Sequence, residues 1–121
     1  MTDHIQRPIL SPDFIAADIY SGIASFEQEL IKEIEVLVQE HHVVLIGMGM
    51  AVSVQQAKHY LEKAEINYCY REFGSYLSGW KQRSALKLWT GWRTFPMVFV
   101  GGKLIGGASN LKALIKNGEL T

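Results

Sequence analysis

Met97-Val98-Phe99-Val100-Gly101-Gly102-Lys103-Leu104-Ile105-Gly106-Gly107 is the stretch on which the fold turns. Two short apolar runs flank a two-glycine turn, the pattern of an antiparallel hairpin, and a second glycine pair closes it. Upstream, His42-Val43-Val44-Leu45-Ile46 is a continuous β-rich run ended by Gly47, as in a strand covered on both faces. Residues 66–71 read as another strand. Ser53-Val54-Gln55-Gln56 reads as a capping box opening a helix to about Lys63, so the two strands form a βαβ unit and run parallel. A further helix is expected over residues 79–89. A last one takes Leu111, Leu114 and Ile115 inward, with Gly118 as its cap.

At the front, Pro8, Pro12 and Gly22 punctuate a mixed segment. Residues 1–22 are therefore expected as an extended lead-in, with a short helical turn around residues 13–20. Ser25-Phe26-Glu27-Gln28 has the form of another capping box. Phe26, Leu30, Ile34, Leu37 and Val38 follow at helical spacing, giving a helix over residues 23–40. The order α-βαβ-α-ββ-α predicts an α/β domain in three layers, α/β/α, around a four-stranded mixed sheet.

Composition narrows the function classes. The chain has 121 residues, 48% of them hydrophobic, enough for one modest core. Lys+Arg and Asp+Glu number 12 each, which argues against a nucleic-acid or anionic-membrane binder acting through bulk charge. A single cysteine, Cys69, excludes an internal disulfide, a thiolate-rich metal site and two-cysteine redox chemistry within the chain. Residues 43–52, the longest strongly apolar run, are half a membrane span. MTDHIQRPIL lacks a basic-then-apolar leader, so the cytoplasm is the expected location. Gly47-Met48-Gly49-Met50-Ala51-Val52 invites a dinucleotide reading, with Glu72 where a ribose-binding acid would fall. Val52 occupies the third glycine's place, however, and the chain goes on to a hairpin rather than further parallel units.

With the hairpin and βαβ order in place, residues 42–120 resemble the glutaredoxin family of the thioredoxin fold. Thr94-Phe95-Pro96 matches the family's proline turn. Val98-Phe99-Val100-Gly101-Gly102-Lys103 matches its hairpin, and Gly106-Gly107-Ala108-Ser109-Asn110-Leu111 its glycine pair and helix start. Asn117-Gly118-Glu119-Leu120 is like the family's C-terminal end, and Trp92 before Thr94 is similar to the monothiol branch, with Arg93 in place of a proline. The expected organisation is a glutaredoxin-like domain over residues 23–121, with a helix at 23–40 added before the core at 42–120.

For activity the resemblance cuts the other way. The loop that should read Cys-x-x-Cys or Cys-x-x-Ser reads Ala51-Val52-Ser53-Val54, and Met48 stands where family members carry an activating lysine. Thiol exchange needs a low-pKa thiolate at that helix start. Ala51 has no nucleophile, and a serine hydroxyl at Ser53 cannot exchange with a disulfide. No catalytic residue is expected. Cys69 falls in the second strand, remote from the loop, and reads as a packing residue.

The resemblance implies that a binding groove survives. It implies a cis Phe95-Pro96 bond whose flanking N–H and C=O pair with glutathione as a short added strand. It gives Arg83 a carboxylate-binding role, and it places Ser109 and Asn110 where two acidic residues usually meet the ligand's γ-glutamyl end. The expectation is a non-catalytic binding module with weak affinity for glutathione or an extended peptide at Arg83, Thr94, Phe95, Pro96, Ser109 and Asn110. The alternative is a glutathione-dependent oxidoreductase or transferase using the bound ligand's own thiol. No metal, nucleic acid or membrane is implied; a homodimer is a further partner reading.

Overall fold

The computed structural model describes residues 7–120. Five helices and four strands follow one another: α1 (Ala17–Ser25), α2 (Gln28–Glu40), β1 (Val43–Gly47), α3 (Val52–Lys63), β2 (Cys69–Glu72), α4 (Trp80–Thr90), β3 (Met97–Val100), β4 (Lys103–Gly106) and α5 (Ala108–Lys116). The sheet order is β2-β1-β3-β4. β1 and β2 are parallel, with Leu45 opposite Tyr70, while β3 runs antiparallel to both β1 and β4. The four-stranded mixed sheet read from the sequence is present. Among the described residues no helix is long and apolar enough to cross a membrane.

Alternation along the central strands makes the layers. Val44 and Ile46 of β1 and Met97 and Phe99 of β3 pack on Ile34, Leu37 and Val38 of α2 and Leu86 of α4. Val43 and Leu45 of β1, with Val98 of β3, pack instead on Ala57 and Leu61 of α3 and Leu111 of α5. Both central strands are apolar throughout because both of their faces are covered. Trp89 stacks on Phe99, ring centres 5.7 Å apart, and joins α4 to the sheet. The aromatic group between β2 and the proline divides. Tyr70, Phe73, Trp89 and Trp92 pack against the core, whereas Tyr76 and Trp80 are exposed.

Several local expectations need correction. The helix expected over residues 23–40 is two helices. Ser25 ends α1, its hydroxyl donating to the Ser21 carbonyl at 2.8 Å, and so does not cap α2. Glu27, in the left-handed region at φ 51°, turns the chain into α2. The lead-in is correspondingly more ordered than expected: a 3-10 turn at Pro12–Phe14 precedes α1, and the helical turn lies later than residues 13–20. β2 is shorter than residues 66–71 and ends one residue later. Ile66 is buried just ahead of the strand, packing on the α3–α5 side. Gly118 does close α5, at φ 74° with its N–H donating to the Ile115 carbonyl.

Candidate functional site

A groove of about 220 Å³ opens where three chain segments meet. Ser53 and Gln56 come from the first turns of α3, and Trp92, Thr94, Phe95 and Pro96 from the α4–β3 connection. Gly107, Ala108, Ser109 and Asn110 belong to the start of α5. None of these ten residues carries a formal charge. The structure thus gathers Thr94, Phe95, Pro96, Ser109 and Asn110 from the expected set, joined by Ser53 of the 51–54 loop. Gln56 and Trp92 complete the wall. Gln56 lies one helical turn beyond Ser53, a spacing that puts both on one side of α3.

The loop before α3 is built for close approach. A Cβ placed on Gly47 would lie 2.8 Å from Val54 Cγ1, so only glycine lets β1 end against α3. Phe73 N–H donates to the Gly47 carbonyl and Gly49 N–H to the Gly74 carbonyl, knitting this loop to the segment after β2. Ala51 is the N-cap of α3 and offers no capping side chain. Ser53 does not cap the helix as its spacing suggested: its Oγ donates to the Phe95 carbonyl at 2.9 Å, across 42 positions of sequence. The reason is tertiary. Ala51 takes the N-cap position, so Ser53 lies inside the first turn of α3, where its hydroxyl meets the carbonyl of the α4–β3 connection.

The Phe95-Pro96 peptide is cis. The Phe95 ring is buried, while Thr94 is exposed. The Phe95 carbonyl is already engaged by Ser53, so of the two backbone groups expected for ligand pairing only the Phe95 N–H has no partner among the described residues. Trp92 Nε1 is also buried without one. Thr90 orders this segment by donating to the Leu86 carbonyl and accepting from Trp92 N–H.

At the start of α5, Asn110 Oδ1 accepts from Gly107 N–H at 3.0 Å, so this side chain is committed to the helix start. Gly106, at φ 118°, makes room for it: a Cβ there would lie 2.4 Å from Asn110 Oδ1. Ala108, Ser109 and Asn110, the first residues of this helix, line the groove, and a helix start is the usual provision for an anion. Arg83 is elsewhere. Its guanidinium donates to the Phe73 carbonyl at 2.9 Å and to the Ser78 carbonyl, tying down the segment between β2 and α4, and it does not line the groove. Cys69 is half-buried in β2 against the α2–α4 core and is not a groove residue.

A three-layer domain with this strand order and a proline connection beside the α3 start has the thioredoxin-like architecture, glutaredoxin type. The glutaredoxin family model matches residues 55–105. A glutaredoxin-like protein of Dictyostelium discoideum is 34% identical over 103 residues, 85% of this chain and 84% of the relative. A glutaredoxin of Ricinus communis is 33% identical over 84 residues, covering 69% of this chain and 82% of the relative. Among solved structures, a buckwheat glutaredoxin in complex with glutathione superposes with a TM-score of 0.70 at 26% identity, over 79% of this chain and 87% of that one. The chain belongs to the glutaredoxin family.

Proposed function

We propose that this chain is a binding member of its family: it takes glutathione or an extended peptide in the groove between residues 94–96 and the start of α5, and performs no thiol exchange at residues 51–54. The observation that carries the reading is the state of that loop. Its N-cap is Ala51, and its one hydroxyl, on Ser53, is spent on the Phe95 carbonyl. What supports a ligand is the remaining set of donors, the Phe95 N–H and the first N–H groups of α5. The buckwheat relative was solved with glutathione, which brings that ligand forward as the first to try.

The same geometry sets the affinity low. No acidic side chain lines the groove to receive an α-ammonium, and Asn110 Oδ1 is occupied by Gly107 N–H. Arg83 holds the Phe73 and Ser78 carbonyls through Nη1 and does not line the groove, so no guanidinium is in place for a ligand carboxylate. The expected dissociation constant is therefore on the order of millimolar, where a carboxylate–helix contact and one or two backbone bonds would leave it. An amide-shift titration with reduced glutathione tests this: saturable shifts are expected at residues 94–110, and their absence at millimolar ligand defeats the proposal. The enzymatic rival uses the same groove but predicts a rate. Reduction of a glutathione mixed disulfide by the wild-type chain, persisting in Cys69→Ser, would favour it.

A further inference from the structure

The groove of residues 94–96 does not end at the start of α5. Gln56, Ala108 and Ser109 belong both to its wall and to a second hollow of about 310 Å³, which runs on between α3 and α5. Tyr60, Lys112 and Lys116 belong to that hollow and to a third of about 320 Å³, closed by Lys63, Ala64 and Ile115. Groove and hollows make one trough. Gln56, Tyr60 and Ala64 recur at four-residue spacing along α3, as Lys112 and Lys116 do on α5, so each helix turns one stripe toward it. The two helices therefore run side by side, with their first turns at the groove. From Ala108 to Lys116 the chain rises about 12 Å, the span of about four extended residues. The floor is apolar, with Tyr60 and Ile115 packing on the core beneath, and the rim is basic.

We infer, resting on the proposed ligand groove at residues 94–96, that this trough is a track for an extended acidic peptide, which leaves the groove along α5 and sets its carboxylates against Lys112, Lys116 and Lys63. Charge selects the occupant. No acidic side chain lines either hollow, and none of the three lysines has an ion-pair partner among the described residues. Glu62 and Glu65, near the end of α3, line a different hollow with Tyr68. Lys63 and Lys116 stand in the last turns of their helices, where they also offset the dipole, but Lys112 has no such reason for its charge. The hollow beside α1 lacks this signature. Lys32 and Glu35 share its wall, and the apolar stripe of Ile19, Ile23 and Phe26 along α1 stays exposed. A tripeptide such as glutathione, about 10 Å long when extended, fills the groove and falls short of Lys116. Single-stranded nucleic acid fits worse, because the two hollows hold no arginine and their one ring, Tyr60, is half-buried under Lys112, leaving no open platform for a base.

Fluorescence anisotropy on the full chain tests the track. The probes are labelled, end-capped peptides in which alternating Val and Ser are followed, or preceded, by a run of glutamates, each with its glutamine counterpart. One glutamate order should bind at least about tenfold tighter than its counterpart at low salt, and the gap should narrow as salt is raised. Lys112→Glu should remove most of the gap, and Lys63→Gln with Lys116→Gln part of it. All three side chains are exposed, and circular dichroism checks that each variant keeps the fold. Equal binding of glutamate and glutamine peptides overturns the proposal, as does a gap that both lysine variants retain. A single-stranded oligothymidylate that binds as tightly as the glutamate peptide overturns it too. Titrating the wild-type chain with reduced glutathione separates the failures. Amide shifts at residues 94–110 without any glutamate preference strike the lysine track and leave the groove standing, whereas no shifts and no peptide binding strike both.

Discussion

Ser53 Oγ donates a 2.9 Å hydrogen bond to the carbonyl of Phe95, the residue preceding the cis proline. The contact is part-buried and joins the first turn of α3 to the α4–β3 connection, the two segments that bracket the groove. Ser53→Ala removes the donor and leaves a carbonyl with no protein partner. The expected loss is about 1 kcal/mol, the usual cost of one such bond. Urea denaturation checks it: the midpoint should fall with the slope unchanged. An unchanged midpoint would mean that water already serves the carbonyl as well.

Gly106 and Asn110 make a second pair whose energies should not add. Asn110→Ala strips the acceptor from Gly107 N–H and should cost about 1 kcal/mol, as loss of a helix-start contact does. Gly106→Ala should cost about 2 kcal/mol or more, since φ is 118° and the new methyl group meets Asn110. In the double variant part of that clash has been removed. Its destabilisation should fall short of the sum of the singles, measured by the same denaturation in a four-member cycle. Strict additivity would show that backbone strain at Gly106 is the whole cost.

The elements were legible because both signals behind them survive burial: the glycine pair between the two apolar runs of the hairpin and the uninterrupted run of a doubly covered strand. Ser25 and Ser53 show where such reading stops. Both begin a Ser-x-x-Gln pattern, yet Ser25 bonds back into α1 and Ser53 bonds across the fold. A spacing of three residues records what a side chain can reach locally and is blind to an acceptor 42 positions away. Arg83 makes the same point. The family resemblance gave it a ligand role, but two loop carbonyls lie within its reach first. The apolar stripe of α1 was hidden for another reason: a sequence shows hydrophobicity, not whether a domain has anything to cover it.

Two tyrosines on β2 and just before it should titrate late. Burial, then the hydrogen bond to Glu62 and that carboxylate's charge, push Tyr68 up to about 12 from its ordinary 10.0. Tyr70 is raised further by burial and by its bond to Glu72. In both the neutral phenol is favoured in the fold. Their contribution to stability is thus complete below pH 10 and is lost as the pH climbs through the folded-state values. Phenolate absorbance at 295 nm should show part of the five-tyrosine signal arriving only above the ordinary range. Glu62→Gln should bring one late step down; if it moves nothing, burial alone raises Tyr68.

The loop of residues 51–54 offers the sharpest test of what the chain has lost, because the helix behind it is intact. Ala51 caps a twelve-residue helix whose first N–H groups have no capping acceptor and whose first turn has no acidic side chain. A thiolate at that point would gain the field of the helix end. Desolvation opposes this, since Ala51 is only 6% exposed, but Met50 and Val52 on either side are 82% and 72% exposed, so water reaches the position. The helix field should win. In a Cys69→Ser background, the thiol of Ala51→Cys is expected to ionise at least about one unit below the ordinary 8.5, followed as thiolate absorbance near 240 nm. The same variant should reduce a glutathione mixed disulfide that the background chain leaves untouched. A thiol titrating at or above 8.5 would show that the loop has closed over the site as well as losing its cysteine.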